Sequence, residues 1–415
     1  MAIPCRKQPS CSESTSTSDS AITSFQAFVQ EHADDDTAKL LLAAGRFQGT
    51  DVPLAVEQII ARRHIREKLP SWYADIRLLF PSAMAAEQAS SEFTAAYKQK
   101  LILPTDSVCD LTGGLGVDSI ALARKARRLV YVEQRPDYCR AARHNFNCLN
   151  IAIDIIEGKA EDVINLIHGT DIFYIDPARR KTNDARRLFA ITDCEPNLIQ
   201  LLPLLWERAP KIIAKLSPMA DISRTLALLP NTREVHILSV RNECKELIFV
   251  MERQQNESLP PDIHCINRTS NGHIESFIFN RQEEADAQPA IATMPGKYIC
   301  EPNSSVLKAG AFKTLARHGM EKLHVNSHLY TTNVAPGNFP GRIFIADDVL
   351  PFNNMLCKTL RHRIPKANIA VRNFPIDATE LRRRTRISDG GETYIFATTL
   401  STGNKVLIPC RKATD

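Results

Sequence analysis

The sequence predicts an α/β protein. The expected architecture is a mostly parallel sheet with an antiparallel edge hairpin, a helical N-terminal domain before it and small α+β domains after it. Three observations carry this. Between residues 106 and 253, short apolar runs alternate with segments of helical period, the pattern of a parallel sheet covered on both faces. No strand-like alternation interrupts residues 21–105. At 415 residues the chain exceeds one ordinary core, so several domains are expected.

The elements follow in order. Residues 1–20 are rich in Ser and Thr and lack an apolar stretch, which reads as a disordered lead-in rather than a secretory signal. "SFQAFVQEHADDDTAKLLLAA", "PLAVEQIIARRHIREKL" and "EQASSEFTAAYKQKL" space their apolar residues three and four apart, giving a helical domain over 21–105. A domain over 106–253 then reads strand "SVCDL", helix "DSIALARKA", strand "RLVYVE", helix "PDYCRAARHNFNCL", strand "IDIIEG", short helix "EDVINLI" and strand "DIFYID". Helix "NLIQLLPLLWERA", strand "KIIAKLS", helix "ISRTLALL" and the strands "EVHILSV" and "KELIFVMER" complete it. The last two have no room for a helix between them, hence the hairpin. "QQNESLPPD" is a polar, Pro-containing linker. Residues 263–340, with the helix "SSVLKAGAFKTLARHG", and 341–415, with the helices "NNMLCKTLRHRI" and "ATELRRRTRI", read as two small α+β domains. Asp377 and Glu380 are spaced as a capping box for the last of these helices.

Composition narrows the class. No run approaches the ~18 apolar residues of a membrane-spanning helix. Eleven cysteines, an odd number with no CxxC pair, point to reduced thiols in a cytoplasm rather than a disulfide framework or zinc site. His324 and His328 lack a third ligand nearby in sequence, so no metal is expected. The net charge is +5, and residues 341–415 hold 13 Lys/Arg against 7 Asp/Glu. The basic character therefore lies in the C-terminal segment, where it can meet an acidic partner such as nucleic acid.

"VCDLTGGLGVDS" joins the first strand to the first helix of the sheet. A dinucleotide-binding fingerprint requires GxGxxG. Here Gly114 and Gly116 are followed by Ser119. The better match is an acidic residue, Asp110, ending the strand ahead of GxG. Carboxylate charge suits a cofactor that carries an amino acid's ammonium group and repels a pyrophosphate, while bare glycine backbone admits close approach. This arrangement resembles motif I of class I S-adenosylmethionine (SAM) methyltransferases. Glu133, 23 residues beyond Asp110, ends the second strand, where a carboxylate accepts ribose hydroxyls. Glu161 and Asp162 follow the third strand, and either can accept from an adenine amino group. Each carboxylate alone reads equally well as a solvated loop residue. Three sets at the C-terminal ends of successive strands mark the ligand-binding edge of a parallel sheet.

The fourth strand ends in "YIDPARRK". In class I nucleic-acid methyltransferases this place holds motif IV, often Asp/Asn-Pro-Pro-aromatic. Asp176 is the candidate hydrogen-bond acceptor or base, and Pro177 stiffens its turn. Ala178 replaces the second proline. Arg179 stands where an aromatic would stack on a base, a task open to a guanidinium plane, and Arg180 and Lys181 can meet phosphates. A solvated Arg-rich loop is the plainer alternative. The fifth strand ends in Lys215, Leu216 and Ser217. The 5-methyluridine methyltransferases place a Cys nucleophile there, and methylating an unactivated pyrimidine carbon needs that thiolate. A nitrogen or oxygen acceptor is therefore expected, with Lys215 and Ser217 on the substrate side or in core or loop duty.

Together "EQASSEFTAAYKQ", "DLTGGLGVDS", "YIDPARR", "AKLSPMADIS", "NECKEL", "EPNSSVLKAGAF" and "DGGETYIFATTL" resemble one bacterial family. Its members are class I SAM-dependent methyltransferases with a small ferredoxin-like domain and a C-terminal THUMP-like domain. The resemblance implies a Rossmann-like methyltransferase sheet and SAM as cofactor. The residues it assigns to SAM are Asp110, Thr112, Gly113, Gly114, Gly116, Asp118, Glu133, Glu161 and Asp162. It implies an RNA substrate, tRNA or rRNA, by analogy with other THUMP-bearing enzymes. Arg361, Arg382, Arg383, Arg384 and Arg386, with neighbouring basic residues, form an expected phosphate-binding surface, against the alternative of an ordinary solvated helix face. Two other functions stay open: a methyltransferase acting on a protein or small molecule, and a non-catalytic RNA-binding module on a methyltransferase fold.

Overall fold

The computed structural model describes residues 24–179, 191–253, 259–317 and 319–413. The lead-in 1–20, Arg180, Lys181 and the side chain of Arg179 lie outside the described residues. The strands are β1 (Ser107–Asp110), β2 (Arg128–Glu133), β3 (Asp154–Glu157), β4 (Ile172–Ile175), β5 (Ala178–Arg179), β6 (Cys194–Glu195), β7 (Lys211–Leu216), β8 (Thr232–Val240), β9 (Glu243–Glu252), β10 (Asp262–Arg268) and β11 (Ile274–Asn280). They continue with β12 (Tyr298–Pro302), β13 (Glu321–Lys322), β14 (Tyr330–Thr332), β15 (Gly341–Ala346), β16 (Leu350–Pro351), β17 (Lys366–Arg372), β18 (Ser388–Thr399) and β19 (Lys405–Lys412).

A mostly parallel nine-stranded sheet runs in the order β11-β10-β8-β9-β7-β4-β1-β2-β3. Compactness divides the chain into two units, the first running to Ile175 and taking in Glu207–Ala209, the second holding Asp176–Trp206 and everything from Pro210 on.

In the first unit, β3, β2, β1 and β4 are parallel neighbours. β1 and β4 are buried along their whole length, as strands covered on both faces must be. The N-terminal helices belong to the same unit. Helix Val52–Ile65 starts at Asp51, whose carboxylate accepts from Leu54 N, and buries Val52, Ala55, Val56, Ile59 and Ile65. Arg62 on this helix is buried, and its guanidinium donates to the carbonyls of Tyr73 and Asp75. Helix Pro136–Cys148 carries Asn145, fully buried, whose amide both accepts from Leu79 N and donates to Leu79 O at 2.8 Å. Such a side-chain pairing satisfies buried polar groups that would otherwise be costly.

In the second unit, β9 runs antiparallel to both β7 and β8, as the sequence pattern expects for the hairpin. Two strands extend the sheet beyond it: β10 pairs parallel with β8, and β11 pairs antiparallel with β10. Residues after the linker therefore complete the large sheet before the smaller one begins. The smaller sheet has the path β13-β14-β12-β15-β19-β18-β17, with β16 on β19. The expected long helix from Ser304 is Ser304–Ala309, stopped by Gly310 in the left-handed region, with a separate turn at Thr314–Ala316. Left-handed backbone costs glycine little. The EPNSS motif is a lock. Buried Glu301 accepts from Arg342 and Arg372. Asn303 caps the helix through Ser305 N and Val306 N and donates to Glu275. Ser304 N donates to Asn242.

Candidate cofactor and acceptor site

The glycine loop is built from β1 outward. Asp110 is 1% exposed. Its carboxylate accepts from Thr112 N at 3.0 Å and from Ser119 Oγ at 2.5 Å, closing the turn from strand to helix. Tyr131 on β2 lies under the loop and donates its hydroxyl to Gly114 O at 2.7 Å. Burial pushes this phenol well above its ordinary pKa, so it remains a donor. A Cβ on Gly113 would stand 2.0 Å from the Tyr131 ring, and one on Gly116, at φ +85°, would stand 2.9 Å from Phe146. Both glycines are thus required by packing inside the unit. Gly114 differs: at φ +54° its missing side chain faces open space apart from Thr112 O at 3.8 Å. That bare backbone leaves room for a bound molecule.

Glu133, half-buried at the end of β2, accepts from Gly114 N at 3.0 Å and Arg135 N at 2.9 Å. A carboxylate offers about four acceptor positions, so two hydrogen bonds leave capacity for ribose hydroxyls. Glu161 and Asp162 are exposed in the first turn of helix Ala160–Val163. Thr112 is half-buried in the loop. These residues, and the open backbone of Gly114, fit a cofactor with an ammonium group, a ribose and an adenine.

Asp118 has a different duty. Its carboxylate accepts from Lys98 Nζ at 2.9 Å, Ser90 Oγ at 2.8 Å and Tyr174 hydroxyl at 2.8 Å. Lys98 is 0% exposed. This is an internal ion pair that anchors the helix after the loop.

In the second unit, Asp176 follows β4 directly and Pro177 is buried. Lys215 Nζ donates to Asp176 Oδ2 at 2.5 Å, the lysine side chain being 13% exposed and the aspartate 37%. The sequence set these residues 39 apart and gave no sign of the pairing. Ser217 accepts from Met219 N at 3.2 Å and is half-buried. Cys194 is fully buried on β6.

Three arginines of helix Ala378–Thr385 are engaged in ion pairs. Arg382 pairs with Asp389 at 2.6 Å, and Arg383 and Arg384 both pair with Glu380 at 2.7 Å. Asp377 caps the helix Ala378–Thr385 by accepting from Glu380 N. Glu380 directs its carboxylate to the two arginines, so only half of the expected capping box forms. Arg361 is exposed on helix Asn354–Arg363, and exposed Arg386 ends the next helix at φ +54°.

Sheet order, glycine loop and strand-end carboxylates define a class I methyltransferase fold. The chain is similar to a crystal structure described as a "putative methyltransferase from Porphyromonas gingivalis W83", with 37% identity over 95% of this chain and 99% of that one and a TM-score of 0.86. Models of a THUMP domain-like segment and a ferredoxin-like domain match residues 341–412 and 298–340. The protein therefore belongs to the family of that Porphyromonas gingivalis protein, with ferredoxin-like and THUMP-like domains at its C-terminal end. The two matched segments share the smaller sheet, through β12 on β15. An RNA methyltransferase from Salinibacter ruber in complex with S-adenosyl-L-homocysteine matches at 16% identity, covering 40% of this chain and 95% of that one, with a TM-score of 0.27. An rRNA methylase from Streptococcus thermophilus matches at 11%, covering 39% and 95%, with a TM-score of 0.29. Likeness at that level carries nothing about substrate. Comparison with curated proteins finds no match. Among the described residues no helix is long and apolar enough to cross a membrane.

Proposed function

We propose that this protein is a SAM-dependent methyltransferase acting on a nitrogen or oxygen acceptor in RNA, either tRNA or rRNA. The observation that carries the reading is the loop of Gly114, open on one side, held from below by buried Asp110 and from beside by Glu133. Glu133 takes the ribose hydroxyls, Glu161 or Asp162 the adenine amino group, and Thr112 with the glycine backbone the amino-acid end. SAM, when bound, supplies a methyl group on a sulfonium. Asp176 accepts a hydrogen bond from the acceptor group, orients it and receives or relays its proton. Lys215 Nζ, hydrogen-bonded to Asp176 Oδ2, holds that carboxylate in place, and Pro177 restrains the turn. Positioning supplies most of the rate in a transfer of this kind. A nitrogen or oxygen acceptor is favoured because β7 ends in Lys215 and Leu216, followed by Ser217, without a thiol nucleophile.

RNA is supported by the THUMP-like segment and by the exposed basic helices it carries. Exposed pairs such as Arg383 with Glu380 are weakened by water and salt, so phosphates can compete for these arginines. The same pairs favour a second reading, a protein or small-molecule substrate, because they already offset part of the positive charge.

Methyl transfer from radiolabelled SAM into total RNA of a strain lacking the gene separates the two. Label in RNA with wild type but not with Asp176→Ala is the expected outcome. Absence of label in RNA, with SAM bound, rejects RNA as the substrate.

A further inference from the structure

Outside the methyltransferase site, three side chains with metal-binding atoms converge on one face of the large sheet. The parallel register of β8 and β10 sets His236 opposite His264 and Glu234 opposite Asp262. Residues two apart share a face of a strand, so these positions form a two-by-two block. The rings of His236 and His264 stack with centroids 4.4 Å apart. His236 Nε2 lies 2.8 Å from Glu234 Oε2. The ligand atoms of Glu234, His236 and His264 all lie within 4.8 Å of one another. His264 Nε2 is buried and has no hydrogen-bond partner, and such an atom in a native interior calls for a partner.

We propose that Glu234, His236 and His264 form a binding site for one divalent transition-metal ion of the zinc class, which pins β10 to β8. Tetrahedral zinc with bonds of about 2.0–2.1 Å places its ligand atoms about 3.4 Å apart, a spacing that small rotations reach from the observed arrangement. Two imidazoles and a carboxylate suit zinc and its first-row neighbours, whereas magnesium and calcium require oxygen ligands. Cys265, next to His264, belongs to the opposite face of β10 and is fully buried, so the ligand set contains no thiolate. Glu234 is 42% exposed on its side chain, which gives the ion a route in and leaves the fourth position to water or to Asp262. The linker precedes β10 directly, and the ion fixes the strand at the point where the chain rejoins the sheet.

The test uses the full chain, stripped with a chelator and titrated with zinc chloride by calorimetry and with cobalt chloride by absorbance. One equivalent is expected to bind, with a cobalt spectrum that lacks a thiolate charge-transfer band. His264→Ala is expected to weaken zinc binding at least tenfold. With free zinc 100-fold above Kd, the unfolding equilibrium of the wild type should shift about 100-fold toward the folded state, and that of His264→Ala far less. Buried His236 is a poor choice for the second variant because its loss threatens folding. Glu234→Gln, at a half-buried position with an isosteric side chain, should keep the fold and also lose at least tenfold in affinity. The proposal is overturned by absence of zinc binding, by equal binding in wild type and both variants, or by a thiolate band, which would move the metal to cysteines. SAM binding is measured alongside and is expected to be the same with and without zinc, so the outcome is independent of the methyltransferase reading.

Discussion

Lys98 and Asp118 give the sharpest check on which loop residues serve the cofactor and which serve the fold. Lys98 is fully buried, with Nζ at 2.9 Å from Asp118 and 3.2 Å from Ser90 Oγ, and the Asp118 side chain is 11% exposed. Removing one member of a buried ion pair leaves the other uncompensated and costs about 3–5 kcal/mol. Lys98→Met and Asp118→Asn should each lose that much, a large share of the ~5–15 kcal/mol that holds a typical domain. The double substitution should lose about 2 kcal/mol less than the two singles added together, since neither charge is then stranded. Urea unfolding followed by fluorescence reads this directly. The chain has two tryptophans, and in a Trp206→Phe background buried Trp72 reports on the first unit. Losses below about 1 kcal/mol, together with loss of SAM binding on Asp118→Asn, would refute the structural assignment and return Asp118 to the cofactor.

Gly113→Ala should destabilise by about 1–3 kcal/mol, because its Cβ would overlap the Tyr131 ring, and should weaken SAM binding with it. Gly45→Ala, where nothing lies within 4 Å, is the matched control and should stay within about 1 kcal/mol of wild type. Arg383 and Arg384 hold the Glu380 carboxyl down at about 2. A depressed carboxylate adds stability above its unfolded pKa of 4.5 and loses it as pH falls through about 2; carboxyl NMR should show that low midpoint. Replacing both arginines with glutamine should return it toward 4.5. The same variant should weaken RNA binding uniformly across sequences and lessen its salt dependence, with the fold intact.

The parts of the structure that were legible in the sequence are local. β1 and β4 show as short apolar runs because both their faces are buried, and the glycines and strand-end acids sit beside them. What was not legible depends on distant partners. Asp118, two residues past Gly116, reads as part of the loop until Lys98 and Tyr174, 20 residues before and 56 after, are brought to it. The placement of β10 beside β8 is a long-range pairing across a polar linker, which periodicity does not encode. The His236–His264 stack follows from that pairing and was hidden with it. Lys215 reads equally as a substrate-side residue or a core or loop residue, because its partner Asp176 belongs to another strand end. The basic C-terminal helices were visible as charge, but their pairing with Glu380 and Asp389 was not.

The central claim is that the loop around Gly114, backed by Asp110 and Glu133, holds SAM. Calorimetric titration of the full-length protein with SAM tests it most directly, with Glu133→Gln beside the wild type. One SAM per chain, at an affinity that Glu133→Gln lowers at least tenfold, is the predicted result. Absence of SAM binding to the wild type, or equal binding by both proteins, would contradict it.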